Sequence, residues 1–283
     1  MKKKLTEKLH TVLSEEELSL LPRGFQTLGN IIILKLNPIL YYKKEIIAKS
    51  YLELLPKIRT VYLNKGKIVG RFREPENIEF LAGVDDPVVE HREHGIKYKF
   101  DITKIMFSKG NVNERKYLAT LVKAGETVVD MFAGIGYFSL VIAKHSEVEQ
   151  IYSIEMNPLS YRFLTENIKI NHLEDKIVPI NGDSKEEVIK LSNSGIRADR
   201  IIMGVFPAPV LFIKEALTLT KDIGSTFHYE GVVEKEKYVS LFEEFREIAE
   251  DNHFNCELKA HRFVKSYGPG LFHTVLDIFV SKN

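Results

Sequence analysis

The sequence has little cysteine and no long apolar run. Cys256 is the only cysteine among 283 residues, which excludes an internal disulfide and a cysteine-ligated zinc or iron–sulfur centre. No segment approaches the roughly 18 consecutive apolar residues of a membrane span. The charged amino terminus, MKKKLTEKLHTVL, is also not followed by the apolar core of a signal peptide. These absences predict a cytoplasmic protein in a reducing compartment, with neither a membrane partner nor a bound metal.

Length and charge favour two domains of different character. The chain is 44% hydrophobic over 283 residues, enough for a substantial core in one large or two ordinary domains. Residues 1–100 carry 18 Lys and Arg against 13 Asp and Glu, whereas the remainder is net acidic. A basic front half is compatible with a polyanionic substrate, and an ordinary solvated surface explains it equally well.

The front half predicts a small α/β domain. The hydrophobic pattern predicts a helix over residues 5–20, a strand at Ile31–Leu36 and a helix at Tyr41–Leu54. Two further strands, Arg59–Leu63 and Lys67–Phe72, suggest a hairpin whose turn residues Asn64 and Gly66 can take positive φ. Glu90–Ser108 continues in strand-like alternation and leads into the second half of the chain. We therefore place the boundary near residue 100 and expect domains at 1–100 and 101–283.

After residue 113 helices alternate with apolar strands, which favours a parallel sheet covered by helices. The predicted strands are Val128–Met131, Ile151–Ile154, Ile177–Ile180, Arg200–Met203 and Ser225–Tyr229. A long helix, Lys235–Asp251, and two strands around Gly268-Pro269-Gly270 follow them. An antiparallel hairpin after a parallel series is typical of the Rossmann-like class I methyltransferase fold, with a mostly parallel seven-stranded sheet.

The stretch VVDMFAGIGYFS, Val128–Ser139, predicts a strand that feeds a glycine-rich cofactor loop. Gly134 and Gly136 leave room for a ligand to approach the backbone. A dinucleotide fingerprint would add a third small residue, which is missing here. Asp130 at the strand end would repel a pyrophosphate but can hold the ammonium of a methionine moiety. S-adenosylmethionine is therefore the favoured cofactor.

The next two strands also end in polar residues. Glu155 follows Asp130 by 25 residues and could accept hydrogen bonds from ribose hydroxyls. Asp183 and Ser184 follow the third strand, where an adenine amino group would lie. Each has an ordinary alternative, because Glu155 could be a surface charge and Asp183 or Ser184 a helix cap. Three such strand ends together favour a binding site.

The chain resembles the family that modifies guanine-37 of tRNA in archaea and eukaryotes, from about residue 20 to the end. The strongest blocks are HRExG (His91–Gly95), NERKYLA (Asn113–Ala119) and DMFAGIGYFS (Asp130–Ser139). One branch methylates N1 of guanosine-37. The wybutosine-synthesising protein 2 branch instead transfers the 3-amino-3-carboxypropyl group of S-adenosylmethionine to C7 of 4-demethylwyosine.

The end of the fourth strand favours the aminocarboxypropyl branch. Methylating members end this strand with Asn-Leu-Pro, whose amide can orient the guanine edge, whereas this chain has Met203-Gly204. GIGYFS and FHYE, Phe227–Glu230, resemble the aminocarboxypropyl branch as well. The resemblance then implies an archaeal-type enzyme that acts on the anticodon loop of tRNA-Phe.

The resemblance also implies roles for individual residues. Ser108 and Arg115 would touch the cofactor, with Arg115 pairing its carboxylate. Arg92 and Glu114 would lie near the acceptor base, and Glu114 or His228 would take the ring proton. The alternatives are a helix-surface charge for Arg115, a favourable helix terminus for Glu114 and a structural strand histidine for His228.

Three other functions remain open at this point. The first is a guanosine-37 N1-methyltransferase, which shares fold, cofactor and tRNA. The second is a tRNA-binding protein without catalysis, which the set Asp130, Glu155 and Asp183 argues against. The third is a small-molecule methyltransferase, which the basic front half and the family motifs argue against. Lys265 and Tyr267 could contact RNA or form an exposed strand edge.

Overall fold

The computed structural model describes all residues from Met1 to Asn283, which form two compact units. The first unit contains Met1–Glu93 and Lys97–Phe107, and the second contains His94–Ile96 and Ser108–Asn283. No helix in the chain is long and apolar enough to cross a lipid bilayer.

The first unit is built from short helices and from strands that form one four-stranded sheet and two two-stranded ribbons. Its helices are α1 (Lys2–Leu9), α2 (Glu15–Ser19) and α3 (Lys44–Leu54), with a 3₁₀ turn at Pro38–Lys43. Its strands are β1 (Gln26–Leu28), β2 (Ile31–Leu34), β3 (Thr60–Asn64), β4 (Ile68–Val69), β5 (Glu74–Pro75), β6 (Ile78–Gly83), β7 (Val88–Glu93) and β8 (Ile96–Asp101). The four-stranded sheet has the order β1-β2-β3-β6, and only β2 and β3 pair in parallel. The two ribbons are β4-β5 and β7-β8.

The predicted helix over residues 5–20 is wrong, because the chain breaks into α1 and α2. Ser14 caps α2: its Oγ accepts from the Glu17 amide, and the Glu17 carboxylate accepts from the Ser14 amide at 2.8 Å. This reciprocal capping satisfies amides that a continuous helix would have bonded internally. Leu9 and Leu18 still bury their side chains in the same core.

The predicted hairpin of residues 59–72 is also wrong. β3 pairs with β6 and not with the next strand, β4. β4 and β5, which lie between β3 and β6 in the chain, pair with each other in a separate ribbon. Gly66 lies outside the positive-φ region and instead permits close approach, since a Cβ there would lie 2.8 Å from the Asn77 amide nitrogen. The Asn64 side chain accepts from the Gly66 amide at 3.0 Å and fixes the local bend.

The second unit contains six helices and seven strands. The helices are α4 (Val112–Leu121), α5 (Ser139–His145), α6 (Pro158–Ile170), α7 (Ser184–Asn193), α8 (Ile213–Leu217) and α9 (Tyr238–Asp251). The strands are β9 (Thr127–Asp130), β10 (Gln150–Glu155), β11 (Ile177–Asn181), β12 (Arg200–Met203), β13 (Ser225–Glu234), β14 (Phe254–Gly268) and β15 (Leu271–Lys282). Three short 3₁₀ turns, at Lys109–Asn111, Val210–Phe212 and Lys235–Lys237, precede α4, α8 and α9.

The seven strands form one sheet of order β11-β10-β9-β12-β13-β15-β14. The first five strands pair in parallel, and β15 pairs antiparallel with both β13 and β14. This arrangement confirms the predicted fold class. Because the sheet order reverses at β9 and β12, the loops after their carboxyl ends border a crevice. That crevice is where the predicted cofactor residues gather.

Candidate active site

The loop between β9 and α5 has a path that favours glycine at two positions. Gly134 has φ +59° and Gly136 has φ +96°. A Cβ at Gly134 would lie 2.6 Å from the Tyr137 ring, and one at Gly136 would lie 2.7 Å from the Leu140 side chain. Both the backbone angle and the space therefore favour glycine, so the loop makes a tight turn of main chain at the sheet edge.

Asp130 lies wholly buried at the end of β9. Its Oδ2 accepts from Ser139 Oγ at 2.7 Å, and its Oδ1 accepts from the Phe132 amide at 3.4 Å. Ser153 donates to the Ser139 hydroxyl at 2.7 Å and extends the chain of hydrogen bonds. Burial, assisted by the nearby Glu230 and Glu155 carboxylates, raises the pKa of Asp130 to about 7 against the lowering effect of its two hydrogen bonds.

Glu155 ends β10 and ties the glycine loop to it. Its Oε2 accepts from the Gly134 amide at 2.8 Å, and its Oε1 accepts from the Asn157 amide at 2.7 Å. Burial raises the pKa of Glu155, while these backbone donors oppose that rise. Each carboxylate oxygen has a second lone pair, so Glu155 can still accept from a ligand hydroxyl.

Asp183 and Ser184 form the start of α7, after β11. Asp183 is the N-cap, and its Oδ1 accepts from the Lys185 amide at 3.0 Å. Ser184 is buried and donates its hydroxyl to the Met131 carbonyl, which belongs to the glycine-loop segment. The two residues therefore have the capping and tethering contacts of a helix start, at the edge where the sequence predicts a ligand.

Ser108 and Arg115 meet beside the glycine loop. The Arg115 guanidinium is buried, donates to the Ser108 carbonyl and lies 5.2 Å from the centre of the Tyr137 ring. Lys265 of β14 donates to Ser108 Oγ at 2.8 Å. Arg115 thus lies next to the loop residue that covers Gly134, rather than on an exposed helix face.

Glu114 is buried on α4 and is bound by a guanidinium from β14. Arg262 Nε lies 2.9 Å from both Glu114 carboxylate oxygens, and Arg262 Nη2 donates to Oε1 at 2.6 Å. Arg262 also donates through Nη1 to Asp277 Oδ2 at 2.6 Å. Burial would raise the pKa of Asp277, but its contacts with His228 and Arg262 outweigh burial and lower that pKa.

His228 lies at the other end of the same network, buried within β13. Its Nδ1 donates to Asp277 Oδ1 at 2.6 Å, and its Nε2 accepts from Arg200 Nη1 at 3.2 Å. Burial, together with Arg200 and Arg262, lowers the pKa of His228. The ring is therefore neutral near pH 7 with both nitrogens engaged. Glu114 and His228 are joined through Arg262 and Asp277.

Arg92 belongs to the first unit and lies on its surface. Its side chain is 72% exposed and donates to Glu90 Oε1 from Nε at 3.3 Å and from Nη2 at 3.2 Å. The structure thus gathers the predicted cofactor residues around one sheet edge and joins Glu114 to His228. It gives Arg92 a surface ion pair.

The partners that orient these groups could not be identified from the sequence. Arg262, Asp277 and His273 lie in the two strands of the carboxyl-terminal hairpin, and no local motif distinguishes them from the other polar residues there. Glu230 falls within the FHYE block, which gave a family signal but no role. No group of three or more His, Cys, Asp or Glu side chains is arranged to hold a metal ion.

Family models match both parts of the chain. The model described as the TRM5/TYW2 methyltransferase domain matches residues 89–258, and the model described as the TYW2 N-terminal domain matches residues 5–86.

Individual relatives match along most of the chain. It is 40% identical to a Pyrococcus horikoshii tRNA(Phe) (4-demethylwyosine(37)-C(7)) aminocarboxypropyltransferase, across 100% of this chain and 98% of that one. It is 35% identical to the Pyrococcus abyssi tRNA (guanine(37)-N(1))-methyltransferase Trm5b, across 92% of this chain and 76% of that one. The crystal structure of Pyrococcus horikoshii TYW2 in complex with MeSAdo has a TM-score of 0.84 and 36% identity, with both chains fully covered.

Proposed function

Since the chain belongs to the TRM5/TYW2 methyltransferase family, we propose that it is an S-adenosylmethionine-dependent tRNA aminocarboxypropyltransferase. It transfers the 3-amino-3-carboxypropyl group to C7 of 4-demethylwyosine at position 37 of tRNA-Phe, in wybutosine-derivative biosynthesis. The observation that carries this choice is the 40% identity across the whole chain to an enzyme with that printed activity. The methyltransferase relative is less similar and is covered less completely.

The proposed reaction is a displacement at carbon. C7 of the modified guanine attacks the methylene of the methionine chain that adjoins the sulfonium, and the bond from that methylene to sulfur breaks. The electron pair leaves with sulfur as methylthioadenosine, and the C7 proton leaves to a base. The sulfonium already activates its three carbons, so the enzyme selects the product by aligning one of them with the acceptor.

The loop at Gly134 and Gly136 supports binding of this co-substrate, because it follows the carboxyl end of β9 and exposes main chain that a ligand can approach. We propose that Glu155 accepts from the ribose hydroxyls while it holds the Gly134 amide. Asp183 and Ser184 lie at the adenine end of the site. The buried Arg115, beside Ser108, pairs with the carboxylate of the methionine chain.

Glu114 is the proposed acceptor of the C7 proton. Its salt bridge with Arg262 fixes its orientation. Arg262 is in turn held by Asp277, whose other carboxylate oxygen accepts a hydrogen bond from His228. His228 itself is less suited to be the base, because protonation at Nε2 would bring a second cation against Arg200. Arg92 is exposed and paired with Glu90, and its proposed role is to stabilise charge on a base carbonyl of the attacked ring.

The proposed partner is tRNA, bound through its anticodon loop. Lys265 and the exposed Tyr267 on β14 offer charge and a stacking surface for it. Because the substrate is a tRNA, we place the enzyme in the cytoplasm. The reaction needs no metal, since the sulfonium is itself the activated electrophile.

Transfer from labelled co-substrate tests the function directly. We expect tRNA-Phe that carries 4-demethylwyosine to gain label from carboxyl-labelled, and not from methyl-labelled, S-adenosylmethionine. Mass spectrometry of the digested nucleosides should show one added aminocarboxypropyl group. Unmodified tRNA-Phe with guanosine-37 is the matched control and should gain neither label. Transfer of the methyl label to this control tRNA would instead identify a guanosine-37 N1-methyltransferase.

A further inference from the structure

A second carboxylate, Glu230, lies at the sheet edge with a fixed orientation. It is on β13, and its Oε2 accepts from His273 Nε2 of β15 at 2.9 Å. The two side chains are 3% and 0% exposed, respectively. His273 Nδ1 is also buried and has no hydrogen-bond partner. A buried acid and histidine held in this way need a reason beyond packing, because burying them costs free energy.

The other oxygen of Glu230 faces the end of β12. A Cβ placed on Gly204 would lie 3.4 Å from both Oε1 and Cδ of Glu230, and 3.0 Å from the Phe138 ring. Phe138 is the last residue before α5, at the close of the glycine loop. The missing side chain at Gly204 therefore leaves Glu230 Oε1 beside the proposed binding site for the co-substrate.

Asp130, the carboxylate that sequence analysis offered for the ammonium, is differently placed. Both of its oxygens accept hydrogen bonds from the protein, from Ser139 and from the Phe132 amide. Asp130 is also wholly buried, unlike the half-buried Glu155, so a ligand cannot reach its remaining lone pairs. Glu230 uses only Oε2 in a hydrogen bond and leaves Oε1 to accept another. A cation that donates to Oε1 would complete its hydrogen bonding and offset its burial.

We infer that Glu230 holds the ammonium of the aminocarboxypropyl group, with His273 orienting its carboxylate and Gly204 leaving the space for that contact. This inference rests on the proposed function and names the residue that anchors the transferred group. An anchored ammonium fixes the methionine chain, and with it the methylene that faces the acceptor. Glu230 and Gly204 thereby favour aminocarboxypropyl over methyl transfer.

Calorimetry with two ligands isolates this contact, because methylthioadenosine lacks the aminocarboxypropyl group that S-adenosylmethionine carries. We expect Glu230→Gln to weaken S-adenosylmethionine binding about tenfold or more. Methylthioadenosine should bind within about twofold of wild type, since it never reaches Glu230. Glu234→Gln makes the same change on the same strand at a 52% exposed side chain and should leave both affinities unchanged.

A second variant, Gly204→Ala, tests the same contact in case Glu230→Gln does not fold. Gly204→Ala keeps both Glu230 and His273, and its methyl group would narrow the space beside Oε1, so the same selective loss is expected. Equal weakening of both ligands, or no change in either, would overturn the inference and leave the proposed function in place. Wild-type protein that fails to bind S-adenosylmethionine would overturn both.

Discussion

Among single residues, Asp130 stands out because it is buried in the sheet without a cationic partner. Its acceptors are satisfied by a serine hydroxyl and one amide, while the Glu230 and Glu155 carboxylates lie near enough to disfavour a further negative charge. Its pKa of about 7 means that the folded protein keeps a proton that the unfolded chain loses near pH 4. The free energy of unfolding therefore falls as pH rises between these values.

Asp130→Asn should remove that dependence, because an amide does not titrate. Below about pH 4 Asp130 is protonated in both the folded and the unfolded wild-type protein, and above about pH 7 it is ionised in both. Its effect on the pH dependence of stability is therefore confined to the interval between these values. From pH 5 to pH 8 the stability of the variant should rise relative to wild type by roughly 2–3 kcal/mol. Urea denaturation of ligand-free protein at several pH values measures the difference, and a constant difference across that range would contradict a raised pKa.

Sequence could locate such residues but not their state. Asp130, Glu155 and Asp183 were found because strand ends are visible in the hydrophobic pattern. Whether their oxygens are occupied depends on the path of the glycine loop and on the start of α7, which no local pattern shows. The Glu155 contact with the Gly134 amide, for example, exists only because the loop turns back over the end of β10.

Among the elements, α4 is linked to the carboxyl-terminal strands by a buried salt bridge. Glu114 on α4 and Arg262 on β14 are 148 residues apart in the chain, and Arg262 also binds Asp277 of β15. Replacing Arg262 would leave two buried carboxylates without their cation, which is more costly than losing the salt bridge itself.

Arg262→Met should therefore lower the free energy of unfolding by about 3–5 kcal/mol. Adding Glu114→Gln should recover part of the loss, because it removes one stranded charge. Arg246→Met on α9 is the matched control: its ion pairs with Glu243 and Glu250 are exposed, so its cost should stay below about 1 kcal/mol. Equal losses of unfolding free energy for Arg262→Met and Arg246→Met in urea denaturation would show that the buried network contributes no more to stability than an exposed ion pair.

The order of elements was predictable where neighbours in sequence are also neighbours in the sheet. The βα alternation of the second unit gave β9 to β12 and their helices correctly, because each strand has a compact apolar signature. In the first unit β3 pairs with β2 and β6, and the intervening β4 and β5 form their own ribbon. The turn residues near Gly66 suggested that β3 pairs with the strand directly after it. Instead the chain forms the β4-β5 ribbon first and returns to pair β6 with β3.

Over the whole molecule, positive charge is concentrated in the first hundred residues. The first unit also contains a cleft of about 560 Å³ lined by Tyr41, Tyr42, Lys43, Lys44, Glu45, Ile46 and Lys49. Tyr42 is exposed, and the Lys43 ammonium lies 5.4 Å from the centre of its ring. Lysines beside an exposed aromatic ring suit a nucleic-acid backbone with unstacked bases.

Reversing charge in this cleft should weaken tRNA binding without touching the co-substrate. We expect Lys43→Glu with Lys49→Glu to raise the Kd for tRNA about tenfold at low salt, and to flatten the dependence of log Kd on log salt. The affinity for S-adenosylmethionine should not change, because neither lysine is among the residues proposed to bind it. Lys169→Glu, an exposed charge reversal on α6, is the control and should leave tRNA binding close to wild type. Filter binding across a salt series decides the matter: an unchanged slope in the double variant would mean that the positive charge of this cleft is ordinary solvated surface.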